Sequence, residues 1–407
     1  MAIDSGKGAF NFYRNLISSD DSPQLPSNPG FAKFAWFNLV YNLIVVGFGV
    51  FLRATGNGDG CGENWPLCTG EKNPVNGPFA SFVESSHRLS TMLVGAFAIL
   101  MLAWAIRAFE KGHPVKKFAT GYLLFTLFEG FIGRHLVVNG LVTSNDTLQR
   151  AIWMGVHVLS TFMLLGSIAG AALMSSGIRP LHFKNQGVVG WLLGFGFLGT
   201  IILGVSGAIS AFGHQVRPDV EGLDQRLAPT AFWASKLALA HPVGSASIGL
   251  FLLLMSGMLQ HLRPDKFVRN AGKMVSSLLI VQLCIGLLNI VLKAPIALQM
   301  VHLVMADLNW VSIVVLSLAA MGAGIEHVEY RPAPQQEEAE QPLKGMSLVK
   351  AYVALTKPRV ISLLLFTTLT SMIAAEGRWP GMFKFLVVGV AGYLAAGAAN
   401  AINMVID

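Results

Sequence analysis

Residues 84–107 read Glu-Ser-Ser-His-Arg-Leu-Ser-Thr-Met-Leu-Val-Gly-Ala-Phe-Ala-Ile-Leu-Met-Leu-Ala-Trp-Ala-Ile-Arg. Between Arg88 and Arg107 no charged side chain occurs, and an apolar run of that length crosses a bilayer as one helix. The stretch opens on a carboxylate and an imidazole, groups that are costly in a membrane and therefore point to function. Working outward, apolar segments lie near 34–53, 87–107, 118–138, 150–174, 188–211, 234–260, 274–293 and 297–323. A polar linker with Pro332, Pro334, Glu337, Glu338 and Glu340 follows, and two more spans lie near 360–375 and 382–403. Composition agrees, since 53% of the 407 residues are hydrophobic and 13% charged, against about 25% charged in soluble domains. A soluble enzyme and a disordered chain are excluded. A β-barrel would alternate every second residue instead of giving unbroken runs.

Short-loop charge sets the orientation. Arg107, Lys111, Lys116 and Lys117 follow span 2, Arg179 and Lys184 follow span 4, and Arg263, Lys266, Arg269 and Lys273 follow span 6. The alternate loops carry Asp59, Glu63, Glu71, Asp146, Asp219, Glu221 and Asp224. Basic loops face the cytoplasm, so the expected N-terminus is cytoplasmic and the loop after span 1 lies outside. The net charge of +7 belongs to those loops and does not call for nucleic acid. The first 33 residues are polar and mixed in charge, which predicts a cytoplasmic tail without a cleavable signal.

The eight spans read as four plus four. Glu84-Ser-Ser-His87 in span 2 is matched by Ala238-Leu-Ala-His241 in span 6, and Met154-Gly-Val-His157 in span 4 by Gln299-Met-Val-His302 in span 8. The expected fold is all-α: a polytopic membrane protein of two pseudo-repeated four-helix bundles plus two further transmembrane helices. Its parts are a tail (1–33), an N-terminal half (34–176), a C-terminal half (177–325), a cytoplasmic linker (326–345) and a last segment (346–407).

Topology sorts the ten histidines. His113, His182, His261 and His327 fall in basic or linker segments, His214 in an outer loop, and His135 near the outer end of span 3. His87, His157, His241 and His302 all lie within about ten residues of the outer ends of even-numbered spans. Each half thus presents two facing imidazoles at similar depth. Such pairs suit a haem, whose iron takes axial nitrogens while its ring is buried. Zinc fits less well, because no thiolate or carboxylate completes four ligands in both halves. A single membrane histidine is most simply a helix-packing residue; four in a repeat argue for two bis-histidine haem sites.

Glu84 breaks the symmetry: it lies one turn before His87, on the same face, where the second half has Ala238. It is either a catalytic group at one haem or a first-turn acid favoured by the helix dipole. Arg53 and Arg88 are candidate haem-propionate contacts or interface anchors. Cys61 and Cys68, in the outer loop, face an oxidising compartment and can pair, as a loop staple or a redox-active couple. Cys284, alone in span 7, is expected to pack as a small apolar residue.

Together, Arg53-Ala-Thr-Gly56, Cys61, Trp65-Pro-Leu-Cys68, Glu84-Ser-Ser-His87-Arg88, His157, His241 and His302 resemble the haem A synthase family over roughly residues 34–323. The resemblance implies oxidation of the C8 methyl of haem O to a formyl group by successive hydroxylations in the membrane. His87 and His157 would then ligate the substrate haem O, with Glu84 catalytic. His241 and His302 would hold a haem b relaying electrons to a membrane acceptor such as quinone. This sequence lacks the second cysteine pair that some members carry after span 5, and span 3 holds Glu129, Arg134 and His135, an unusually polar set. His135 is a rival ligand, and the sequence assigns Glu129 no role.

After the linker, Ala351-Tyr-Val-Ala-Leu-Thr-Lys-Pro-Arg359 resembles the start of protohaem IX farnesyltransferase, the haem O synthase, and Asn403-Met-Val-Ile-Asp407 resembles its first Asn/Asp-rich motif. That motif binds magnesium diphosphate in the family. One carboxylate does not suffice, so the segment reads as a truncated fusion of the partner enzyme that makes haem O. The expected location is the plasma membrane of a bacterium. Two other readings share the four histidines: a dihaem cytochrome b exchanging electrons with quinone, and a haem transporter or chaperone.

Overall fold

The computed structural model describes residues 24–143, 145–217, 225, 228–325 and 345–406. The tail before residue 24, linker residues 326–344, Asp219, Glu221, Asp224, His327, Asp407 and the side chain of Asn403 lie outside the described residues. The described residues are all-helical, and among them ten helices are long and apolar enough to span a bilayer. They include α1 (Pro29–Ala54), α2 (Phe79–Ala108), α3 (Pro114–Val138), α4 (Leu148–Ser175) and α5 (Gly187–Val216). After the short helix Trp233–Leu237 come α6 (Ala240–Leu262), α7 (Lys266–Val291) and α8 (Ile296–Ala320). The short α9 (Met346–Leu355) precedes α10 (Pro358–Glu376) and α11 (Met382–Ile406).

Local chemistry sets the helix starts. Asn28 accepts the Phe31 amide at 3.0 Å ahead of Pro29, and Asp265 accepts the Phe267 amide at 2.7 Å. Both side chains satisfy amides that a helix start leaves unpaired. His113 caps α3 through Nδ1, 3.3 Å from the Val115 amide, and burial holds this imidazole below its ordinary range. Helices overrun the apolar windows where their outer turns are polar. Thus α2 starts at Phe79, and α5 runs to Val216. His214, expected in a loop, therefore lies in the last turn of α5.

Helices α1 to α4 pack in sequence and α4 returns to α1; α5 to α8 do the same, α8 returning to α5. The two sets meet where α4 packs on α5 and α8, and α8 on α1. The apolar windows of α4 and α8 are 72% buried, against at most 33% in the other spans. In lipid, helices associate mainly through close packing, which small residues permit. Gly170 of α4 meets the Phe118 ring, where an added Cβ would come within 2.4 Å. Gly166 makes room for Trp310 of α8. The Trp310 indole donates to the Phe162 carbonyl at 2.5 Å, stacks on the Phe162 ring at 4.8 Å and meets Phe197 edge-on at 5.3 Å. One side chain thereby joins α4, α5 and α8.

Within the first set, Tyr122 of α3 accepts from Asn42 Nδ2 and donates to Asn38 Oδ1, both at 3.1 Å. All three side chains are buried, and their mutual bonds offset that cost. Helix α10 packs on α6 and α7, and α11 on α10. Cys284 is exposed on α7, which corrects the expectation of packing. The outward face of a sparsely buried span meets lipid, and a thiol is apolar enough to sit there.

Trp310→Ala should destabilise the purified chain in detergent by about 3–5 kcal/mol. Trp310→Phe keeps the ring and loses only the hydrogen bond, for about 1 kcal/mol. Equal losses in thermal or denaturant unfolding would contradict the stacked ring as the principal contribution.

Candidate functional site

His87, His157, His241 and His302 lie six to nine residues into α2, α4, the Trp233–Leu262 span and α8. Glycines make room for three of the rings. A Cβ on Gly49 would approach His87 Cε1 to 3.2 Å, one on Gly207 would approach His241 Cε1 to 3.1 Å, and one on Gly286 would approach His302 Cε1 to 3.1 Å. Phe48 meets His87 edge-on at 5.4 Å. The His241 and His302 rings lie 6.3 Å apart with planes at 89°.

The imidazole nitrogens have unequal surroundings. His157 Nδ1 lies 2.6 Å from Glu129 Oε2 of α3, and His241 Nδ1 lies 3.0 Å from Ser206 Oγ of α5. His302 Nε2 has Gln282 Nε2 of α7 at 3.4 Å. Nδ1 of His87 and of His302 are buried with no hydrogen-bond partner among the described residues. Unpartnered polar atoms in an apolar interior are costly, a sign that these rings serve more than helix packing. The His241–His302 separation also fits, since two metal–nitrogen bonds of about 2 Å each, plus the ring radii, span such a gap. The His241–His302 pair therefore fits a haem, and His87 and His157 are the corresponding donors of the N-terminal half.

Glu84 is 2% exposed, and both its oxygens are engaged. Oε2 accepts the Cys61 amide at 2.8 Å, and Oε1 pairs with Arg88 Nη2 at 2.5 Å. Arg88 also donates to the carbonyls of Asn64 at 2.6 Å and Pro66 at 3.2 Å, and lies over the Trp65 ring. Cys61 and Cys68 form a disulfide in the same loop. At Gly60 an added Cβ would fall 2.2 Å from the Ala80 carbonyl, so the loop reaches α2 only as glycine. The sequence suggested separate roles for Glu84, Arg88 and the cysteines; the structure joins them in one hydrogen-bonded unit beside His87.

Arg53 lies in the last turn of α1, its carbonyl accepting from Gln215 Nε2 at 3.0 Å. The other end of that amide, Gln215 Oε1, accepts from Arg150 of α4 at 2.7 Å. Arg150, close enough to Arg53 for charge interaction, escaped the sequence reading, although a cation at the very start of span 4 was a usable signal. His135 packs on Trp153 at 4.3 Å and contacts Asn139. Asp307 of α8 is buried, with one carboxylate oxygen that has no hydrogen-bond partner among the described residues. Phe48 also lines an apolar groove between α1 and α8, with Gly47, Phe51, Met300 and Val304.

The role of Glu129 emerges from the fold. Glu129 and Gln282 each stand nine residues before the last residue of their helix and four before a glycine, Gly133 and Gly286. The repeat thus extends to α3 and α7, and each of these side chains reaches the histidine of the following helix. The ExxxG and QxxxG spacing was the signal that sequence reasoning missed.

The family model of cytochrome oxidase assembly proteins, COX15-CtaA, matches residues 32–314. Proteins named protohaem IX farnesyltransferase from two strains of Thermus thermophilus are 39% identical over 379 residues, 92% of this chain and 62% of theirs. The chain thus spans less than two thirds of the length of these relatives. A haem A synthase of Halalkalibacterium halodurans is 35% identical over 127 residues, 31% of this chain and 42% of that protein. With the family model covering most of its length, this chain belongs to the COX15-CtaA family of cytochrome oxidase assembly proteins.

Proposed function

We propose that the chain is a haem A synthase of a bacterial plasma membrane, converting the C8 methyl of haem O to a formyl group. The observation that carries this reading is the close His241–His302 pair, repeated in sequence by His87 and His157, with Glu84 beside His87 and Glu129 on His157 only in the first half. In this reading His87 and His157 hold the substrate, and His241 and His302 hold haem b. When bound, the haem irons supply the electron-transfer chemistry. Methyl plus one water gives formyl, four electrons and four protons, and a membrane quinone is the proposed acceptor. Glu84, held by Arg88 and the Cys61 amide, is placed to stabilise positive charge at the reacting methyl carbon or to hold the attacking water. The surrounding loop, clamped by the disulfide, limits water access from the outer end. Arg53 and Arg150 offer positive charge to propionates, and the groove beside Phe48 offers apolar surface to a farnesyl tail.

We further propose that residues 346–407 belong to a fused haem O synthase module. The Thermus relatives support this, because a protein named for the farnesyltransferase aligns with 92% of this chain, most of which the COX15-CtaA model also matches. Asn403 and Asp407 would begin its magnesium–diphosphate motif, which needs more carboxylates than Asp407 alone. The first module would then consume what the second makes.

The full chain, coexpressed with a complete haem O synthase in a host lacking haem A, should yield haem A or its hydroxylated intermediate on extraction. Bound haem b with untouched haem O would instead identify a dihaem electron carrier, and absence of haem would refute both readings. Glu84→Gln should retain haem while lowering haem A formation by roughly a hundredfold or more. A rate near wild type would remove Glu84 from the chemistry and leave it as the clamp of the outer loop.

A further inference from the structure

The Nδ1 atoms of the four candidate ligands do not share one environment, and among the described residues only one of them meets an acid. Glu129 Oε2 lies 2.6 Å from His157 Nδ1, and its other oxygen accepts from Thr161 Oγ1 at 3.3 Å. The Thr161 hydroxyl also contacts the His157 carbonyl at 2.9 Å, so the carboxylate is held against the helix that carries the imidazole. A bond of this kind keeps the ring proton on Nδ1 and leaves the Nε2 lone pair for a metal. It also raises the basicity of the ligand. The Glu129 side chain is 16% exposed and that of His157 46%, so the carboxylate is the more sheltered partner, and such an interaction is stronger away from water. His241 Nδ1 has a neutral hydroxyl at 3.0 Å, Nδ1 of His87 and His302 have no partner among the described residues, and the repeat places neutral Gln282 opposite Glu129.

We propose that Glu129 is a positioning residue that makes His157 the most electron-donating of the four ligands, so that the haem of the N-terminal half has the lower reduction potential. This rests on the reading of the histidines as haem ligands and deepens it. An electron-rich ligand favours the oxidised iron, so electrons drawn from the substrate haem run downhill to the haem b of the C-terminal half. The asymmetry in the protein's own carboxylates thereby gives the electron relay its direction. Glu129 fixes the ligand, and Glu84 serves the reacting carbon.

The test is a spectroscopically monitored redox titration of the purified, haem-loaded full chain. Wild type should show two transitions, the lower one persisting when His241 is replaced by alanine. Glu129→Gln should raise that lower transition by about tenfold in the reduction equilibrium, ~59 mV for one electron, and leave the upper one in place. Glu129→Asp, which keeps an acid, should fall between the two. If Glu129→Gln binds less haem, the potential of what remains still decides. An unmoved lower transition, or equal movement of both, overturns the proposal while the haem reading stands. A wild-type chain without haem would refute the haem reading itself.

Discussion

An imidazole inside a lipid-spanning helix must find partners for two nitrogens, and the architecture of this protein follows from meeting that demand four times. Each ring sits where a neighbouring helix supplies either a small residue or a polar group. Gly49, Gly207 and Gly286 give three rings room, and Glu129 and Ser206 each take one nitrogen. Gln282 lies against a nitrogen of His302, and Nδ1 of His87 and of His302 is buried with no hydrogen-bond partner among the described residues. Helices α4 and α8, the most buried spans, carry one ligand each and also form the seam between the halves. Trp310 joins that seam, so His157 and His302 stand on the most buried spans among the described residues.

Duplication gives two similar pockets, and charge distinguishes them. The N-terminal half has acquired Glu84 and Glu129 where the C-terminal half has Ala238 and Gln282. One carboxylate is tied to the disulfide-bearing outer loop through Arg88 and the Cys61 amide, the other to a histidine. A pocket with both acids is suited to chemistry on a bound macrocycle, and a pocket with neither is suited to passing electrons. In the proposed reading the same frame serves a reactive site and a relay.

The apolar runs made all ten spans legible, because hydropathy reports what a bilayer demands of a helix. Depth and repetition singled out the four histidines, and Glu84 showed as an asymmetry between repeats. Tertiary contacts were out of reach. Arg88 is an ordinary cation in the sequence, and only the fold shows it folded back on Glu84, Asn64, Pro66 and Trp65. Glu129 had no evident purpose until α3 was laid against α4. Cys284 and His214 were misplaced for related reasons: one apolar span does not reveal which face meets lipid, and a polar outer turn does not show that the helix continues through it.

The central claim is that each half holds one haem between two histidines. Haem quantification together with electron paramagnetic resonance of the purified full chain tests it directly. The account predicts close to two haems per chain, both low-spin with bis-imidazole signatures. A single haem per chain in haem-replete preparations, or a high-spin signal from an iron with one protein ligand, would contradict it.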